Sequence, residues 1–135
     1  MALADTSIAF TTIDSDYLTG DSGNESLMVV QNQEGYDKLW NTVINADVSP
    51  GFPEPGVNFA QQTVLAFLDS WHPTGGYSVA FKSISIDSNG VLQVMVQKTQ
   101  ETTGGIAAAA MQPVQVVVIP RFTGDYVLHV SSLVK

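Results

Sequence analysis

Apolar and polar residues alternate along most of the chain with a period of two, which is typical of strands that bury one face of a β-sheet. Most of the alternating segments are separated by Gly, Pro, Asn or Asp, which favour turns. The pattern predicts a mainly β fold, at the border of the α+β class, with about seven strands in an antiparallel, sandwich-like arrangement. The predicted strands are 7–13, 27–30, 63–69, 77–87, 92–96, 114–119 and 126–130.

Two local signals refine the strand pattern. In the fourth predicted strand, apolar residues occupy odd positions up to Phe81 and even positions from Ile84 onward. A β-bulge near Lys82 or Ser83 is needed to keep both groups on one face of the sheet. The sequence Asp-Ser-Asn-Gly at 87–90 then predicts a hairpin turn, because Asn and Gly tolerate positive φ.

One segment has helical spacing instead, with apolar residues at i, i+3, i+4, i+7 and i+8. Asn32 precedes this segment and is a suitable N-cap. The spacing predicts one amphipathic helix packed on the sheet, with Trp40 in the core. Three prolines and two glycines at 49–56 then predict an extended crossover. The apolar face of the helix is Tyr36, Leu39, Trp40, Val43 and Ile44.

The length of 135 residues and the 44% hydrophobic content suit one domain, 1–135, with its own core. Within it, 1–25 is expected to form an N-terminal strand and an acidic loop, and 26–134 the remaining core. Asp14 and Asp16 begin this acidic stretch, but Leu18 lies where an EF-hand loop needs its next oxygen ligand. We therefore expect a solvated loop, and the sequence indicates neither a metal site nor a cofactor.

Charge narrows the possible partners. Thirteen acidic residues oppose five basic ones, for a formal charge of −8. Such a chain repels phosphate backbones and anionic lipids, so nucleic acid and electrostatic membrane docking are not expected. No apolar run reaches the ~20 residues of a membrane-spanning helix, so no membrane insertion is expected either. A cationic partner suits the charge better.

The first residues suggest export. Ala2-Leu3-Ala4 has the small-x-small pattern that precedes a signal-peptidase cleavage site. The pattern predicts an exported protein, whether periplasmic, secreted or at the cell surface, whose signal peptide has been removed. Cysteine is absent, which excludes disulfides and thiol catalysis but leaves the redox compartment open.

The most informative segment is the loop between the third and fourth predicted strands. It combines two aromatic residues, a proline and two adjacent glycines, which together favour a rigid, shaped turn. The alternative is a well-built connection with no partner. As a binding loop, it would contribute Trp71, His72, Pro73, Thr74, Gly75, Gly76 and Tyr77.

A second unusual segment, 102–113, contains Gly104 and Gly105, then four alanines, and ends at Pro113. The alanines favour helix, but the flanking glycines and proline limit it to about two turns. Two interpretations stay open. The segment is either buried small-residue structure under the sheet or a mobile loop that closes on a partner.

The order of these features resembles the protease-complex subunit PrcB family, in its C-terminal domain type, over residues 26–130. The most specific part is Pro-Thr-Gly-Gly-Tyr at 73–77 directly before a strand, with Val57 and Phe59 upstream. Members often have aspartate where this chain has Asn58, and Gly-x-Gly-Cys where it has Gly104-Gly105-Ile106. The resemblance implies an exported, non-catalytic module that associates with a bacterial protease.

A second likeness is to the chagasin-type peptidase inhibitors, which present three loops at one end of a sandwich. The corresponding segments here are 73–77, 103–105 and Pro120-Arg121-Phe122, although Arg and Pro are inverted in the third. If the three loops meet at one end, they form a wedge for a protease cleft, with 71–77 as the main contact. The flanking contacts are then Gly104, Gly105, Arg121 and Phe122.

Signals for an enzyme are weak. The two histidines are His72 and His129, and His129 alternates with Val127 as a solvent-facing strand residue would. No nucleophile elbow, zinc motif or phosphate loop accompanies His72. The sequence therefore predicts a non-catalytic protease-binding module, either a peptidase inhibitor or an accessory subunit. The alternative is an envelope-associated carbohydrate-binding or structural module, with Trp71 stacked on a sugar.

Overall fold

The protein folds into two packed four-stranded β-sheets with one short helix, as shown by a computed structural model that describes residues 6–18, 25–40, 56–70, 72, 76–101 and 112–134. The strand order is β1-β5-β6-β8 in the first sheet and β2-β7-β4-β3 in the second. The predicted mainly β, sandwich-like fold is thereby confirmed. The elements are β1 (Thr6–Ser7), β2 (Thr11–Leu18), β3 (Ser26–Val30), α1 (Gln33–Leu39), β4 (Gln62–Leu68), β5 (Tyr77–Ile86), β6 (Leu92–Gln100), β7 (Gln112–Pro120) and β8 (Tyr126–Val134).

The core has two parts, because β4 and β7 are buried on both faces. Leu65 and Phe67 of β4 point between the sheets, whereas Val64 and Ala66 point to the opposite face. Helix α1 covers that opposite face, and Trp40 is 1% exposed there, as predicted. The layers are therefore the first sheet, the second sheet and α1.

The predicted start of the helix is confirmed. Asn32 has extended backbone angles, and its side-chain oxygen accepts a hydrogen bond from the Gly35 amide at 2.7 Å. Glu34 in the first turn and Lys38 in the last turn suit the helix dipole. Val43, Ile44 and the predicted crossover up to residue 55 lie outside the described residues.

The bulge and the hairpin turn are also confirmed. The β5–β6 register shifts between Phe81 and Ser83, and Ile84 is buried beyond the shift. In the hairpin turn only Gly90 has positive φ, at 78°. The Asp87 carboxylate accepts hydrogen bonds from the amides of Asn89 at 2.8 Å and Val91 at 3.0 Å. Those amide bonds, that of Val91 above all, lower the pKa of Asp87.

The N-terminal region differs from the prediction. The predicted strand 7–13 divides into β1, which pairs with β5, and β2, which pairs with β7 in the other sheet. The acidic segment 14–16, predicted as a solvated loop, belongs to β2 and pairs with Val114–Val116. The loop prediction was wrong there, because pairing with β7 supplies partners for the backbone that local propensity does not reveal. Residues 21–24 of the predicted loop lie outside the described residues.

One strand pair is parallel, although the pattern predicts an antiparallel fold. After β6, the chain crosses to the second sheet as β7, reverses, and returns to the first sheet as β8. Two reversals give β8 the same direction as β6, its only neighbour among the described strands. The edge strand β8 is therefore parallel to β6.

Candidate functional site

The structure separates the predicted contact residues between the two ends of the sandwich. Tyr77 begins β5 at the end where β4 stops, whereas Arg121 and Phe122 follow β7 at the other end. A nine-residue strand spans roughly 25 Å. The wedge expected from three loops at one end is therefore not formed with Arg121 and Phe122, because β7 carries the chain from one end to the other.

At that second end, Arg121 and Phe122 are engaged within the protein. The Arg121 guanidinium donates to the backbone oxygen of Phe59 at 2.5 Å. Phe122 packs against the core between the sheets, and its amide donates to Thr63 Oγ1 at 3.0 Å. The same Thr63 hydroxyl donates to Gln31 Oε1 at 2.8 Å. These contacts explain both residues as parts of the fold.

The first end is called here the His72 end and comprises Asp69, His72, Tyr77, Lys98 and Gln100. The residues on either side of the segment 102–111 lie at this end. Before it, the Glu101 amide donates to the backbone oxygen of Gly76 at 2.7 Å. After it, Gln112 Nε2 donates to the backbone oxygen of Asp69 at 2.9 Å. Predicted site residues outside the described part of the chain are Trp71, Pro73, Thr74, Gly75, Gly104 and Gly105. The two open interpretations of 102–111 concern the same undescribed stretch.

A buried carboxylate organises the His72 end. Asp69 follows β4 directly and is 1% exposed. Its Oδ1 accepts hydrogen bonds from the Ser70 amide at 2.8 Å and from Lys98 Nζ at 3.0 Å, and its Oδ2 lies 2.9 Å from His72 Nε2. Both carboxylate oxygens thus have donors, which is the condition for burying a charge.

The titration of Asp69 follows from these contacts. Burial by itself raises the pKa of the carboxyl group, but the hydrogen bonds from His72, Lys98 and the Ser70 amide outweigh it, so the pKa is lowered. Asp69 is therefore ionised throughout the neutral range. Its charge holds the start of the β4–β5 connection to the first sheet, because Lys98 is on β6.

Lys98 links two acidic residues. It forms an ion pair with Glu25, just before β3, in addition to the pair with Asp69. Burial lowers the pKa of the Lys98 ammonium, but the bonds to Glu25 and Asp69 outweigh it and raise the pKa. The three groups connect β6, β4 and the start of β3, and so join the two sheets at this end.

An aromatic stack lies beside the carboxylate. The rings of His72 and Tyr77 are stacked, with centroids 3.6 Å apart and planes 7° from parallel. Gln100 Nε2 donates to the Tyr77 hydroxyl at 3.2 Å. His72 thus contacts Asp69 through its ring nitrogen and Tyr77 through its ring face. These contacts fix both ends of the β4–β5 loop, at 72 and 77.

A cavity of about 160 Å³ opens between this stack and the last residues of β8. Its walls combine the ring of Tyr77 with the polar side chains of Gln100 and Ser132 and the apolar side chains of Leu133 and Val134. Such a mixture can hold one apolar side chain or one sugar ring and orient it with a few polar groups.

Sequence reasoning found His72 and Tyr77 but missed Asp69 and Lys98 as parts of this site. Asp69 was assigned to the end of a strand, although it is an acidic residue directly after an apolar run and three residues before a histidine. That spacing was the available signal. Lys98 had none, because its contact with Asp69 depends on how the two sheets pack. His129 is exposed and its ring nitrogen lies 2.6 Å from Gln93 Oε1, so its predicted solvent-facing position is confirmed.

The described residues contain no group of three His, Asp or Glu side chains arranged to hold a metal ion. They also contain no helix long and apolar enough to cross a membrane.

Comparisons of the chain with protein-family models, with curated proteins and with solved structures gave no match. The likenesses to the PrcB family and to the chagasin-type inhibitors therefore stay sequence-based predictions.

Proposed function

We propose that this protein is an exported, non-catalytic module that binds a protease through the β4–β5 loop, as a peptidase inhibitor or as an accessory subunit. The observation that carries the proposal is the Asp69 network, in which one buried carboxylate holds Ser70, His72 and Lys98 at the base of the loop. A loop fixed at its base loses little conformational entropy when it binds, and this small entropy loss favours tight binding.

The contacts of His72 support a positioning role in this proposal. Its Nε2 is bonded to Asp69, and one ring face lies on Tyr77. The imidazole thereby joins the buried charge to the aromatic ring at the far side of the loop. The sequence Trp-His-Pro-Thr-Gly-Gly-Tyr, with its proline and glycines, suits a shaped contact between these two anchors.

The proposal is tested by titrating the purified protein against secreted serine, cysteine and metalloproteases, with residual activity and complex formation on a sizing column as readouts. Loss of activity at one-to-one stoichiometry, without cleavage of the protein, identifies an inhibitor. A stable complex with activity retained identifies an accessory subunit. The proposal is contradicted if the protein neither inhibits nor forms a complex with any of the proteases.

Two variants test the position of the contact. Trp71→Ala and Tyr77→Ala are expected to weaken the complex by about 2 kcal/mol or more, because aromatic anchors dominate interface energies. Arg121→Gln is the control, because Arg121 lies at the other end of the sandwich, and it should leave the affinity unchanged. Circular dichroism verifies that each variant is folded. An equal loss of affinity in Arg121→Gln, or an unchanged affinity in folded Trp71→Ala, contradicts the assignment of the contact to this loop.

A second candidate, an envelope-associated carbohydrate-binding module, is favoured by the cavity next to Tyr77. Its aromatic wall and the amide of Gln100 are groups that bind sugar rings. Titration with bacterial polysaccharides, followed by tryptophan fluorescence, tests it. A saturable change that is lost in Tyr77→Ala supports carbohydrate binding, and no change with any polysaccharide contradicts it.

A further inference from the structure

Among the described strands, β8 forms one edge of the first sheet. It pairs with β6 without a register shift, from Leu92 opposite Tyr126 to Gln100 opposite Val134. No other strand among the described residues lies on its outer side. An edge strand presents a row of backbone N–H and C=O groups that can pair with another chain.

Two of the other three edges carry features that block such pairing, and the third, β3, is shorter than β8, which carries none. β1 has only two residues and β3 five, while β2 has a register shift and contains two aspartates. β8 has nine residues in an even register, and its sequence contains neither proline nor a charged residue. Of the four edges, β8 is the one suited to strand addition.

Apolar side chains are exposed on both faces of β8. Val127 and Leu133, on one face, are 43% and 42% exposed. Val130, on the other face, is paired with Val96, yet Val130 is 38% exposed whereas Val96 is 1% exposed. The packing that covers β6 reaches Leu128 of β8 but leaves Val130 largely open to solvent. Exposed apolar residues that are contiguous along one edge are typical of an interaction surface.

Charge indicates which occupant suits this edge. A second copy would bring another formal charge of −8 to the first and would be repelled. The strand itself carries no acidic or basic side chain; the exposed Asp125 precedes it, and Lys135 follows it in the sequence. An incoming strand that is apolar in the middle and basic at the end beside Asp125 matches this arrangement.

We propose that the outer edge of β8 binds an extended, apolar segment of the protein partner, with Lys or Arg at the end beside Asp125, as an added β-strand. The inference deepens the proposed function and rests on it, because the cavity between β8 and Tyr77 joins this edge to the β4–β5 loop. One partner thus contacts the loop and the edge together. Backbone pairing supplies affinity, and the side chains of β8 select apolar residues.

The test uses the whole protein and a synthetic peptide of alternating valine and threonine, as long as β8, with lysines at one end. Binding is followed by fluorescence anisotropy, and hydrogen exchange of the β8 amides by NMR. The expected result is saturable binding that protects alternate amides of β8. The control peptide is N-methylated at alternate residues, which removes the donors on one edge, and it should not bind.

Two protein variants distinguish peptide binding at β8 from binding at the neighbouring strand β6. Val127→Glu is expected to weaken peptide binding by about fivefold, through loss of one cross-strand apolar contact. Met95→Glu is the matched control, since Met95 is 41% exposed but lies on β6, and it should bind as the wild type does. The new carboxylate attracts the lysines of the peptide, so weaker binding cannot come from charge repulsion.

Three results overturn the inference: no saturable binding up to about 1 mM peptide, equal binding of the N-methylated peptide, or β8 protection that rises with protein concentration alone, which indicates a second copy at this edge. The protease titration tests the proposed function independently of the peptide experiment. If a protease complex forms but the peptide does not bind, strand addition at β8 is overturned, whereas the proposed loop contact is not.

Discussion

At the scale of a single residue, Asp69 joins the end of β4, the β4–β5 loop and β6. Its carboxylate is buried, and its three donors come from Ser70, His72 and Lys98. Removing one partner of a buried ion pair leaves the other charges poorly satisfied, which costs more than the pair contributes when it is intact. The residue therefore controls both the local stability and the position of the proposed binding loop.

Asp69→Asn is expected to lower the free energy of unfolding by about 2 kcal/mol at pH 7. The folded-state pKa of Asp69 is lowered, so its contribution is present above the unfolded pKa of about 4 and is lost as the pH falls through the lower folded value. Urea unfolding from pH 7 downward should show wild type and Asp69→Asn converging below about pH 4.

The matched control is Asp125→Asn, which removes an exposed carboxylate at the other end and should change the stability little at any pH. The Lys98 pKa is raised, so its contribution is present below the unfolded pKa of about 10.4 and is lost only above that pH. A gap between wild type and Asp69→Asn that stays constant down to about pH 2 contradicts the assigned role of the carboxylate.

At the scale of elements, the β5–β6 hairpin shows how local chemistry sets a register. Asp87 bonds the amides of Asn89 and Val91, and Gly90 takes the positive φ that closes the turn. The bulge between Phe81 and Ser83 then keeps both halves of β5 facing the core. The turn and the bulge together place Tyr77 opposite Gln100 at the His72 end.

Gly90→Ala is expected to destabilise the protein by about 1 kcal/mol, because an alanine at φ 78° is strained. Gly56→Ala is the matched control. At both glycines an added Cβ meets no atom within 4 Å, but Gly56 does not have positive φ, so that variant should be neutral. Thermal unfolding of both variants measures the difference. Equal effects would show that the conformation of Gly90 does not limit stability.

At the scale of the whole molecule, charge and architecture act on different steps of binding. The sandwich places His72 and Tyr77 next to the last residues of β8, while the formal charge of −8 acts at longer range on the approach of a partner. Electrostatic attraction mainly changes the association rate, whereas short-range contacts mainly change the dissociation rate.

The association rate with a cationic protease is therefore expected to fall about tenfold as salt is raised from low to high concentration, while the dissociation rate changes little. Stopped-flow fluorescence at several salt concentrations measures both rates. An association rate that does not depend on salt contradicts electrostatic attraction by the acidic surface. It leaves the loop contact itself unaffected.

The sequence was sufficient for the features that depend on neighbours along the chain. The period-two pattern predicted a mainly β fold, the phase change predicted the bulge near Lys82 or Ser83, and Asn32 predicted the start of α1. Each of these depends on side-chain direction or backbone φ within a few residues. His72 and Tyr77 were recognised for the same reason, as parts of one short loop.

Contacts between residues that are distant in the sequence were decided only by the tertiary structure. The segment 14–16 reads as a loop but becomes strand through pairing with β7, and Arg121 lies far from Tyr77 because β7 runs between the two ends of the sandwich. Lys98 reaches Asp69, and β8 becomes the parallel edge strand among the described strands of the first sheet, through the same sheet topology. Contacts between residues distant in sequence depend on strand order and sheet packing, which local periodicity does not encode.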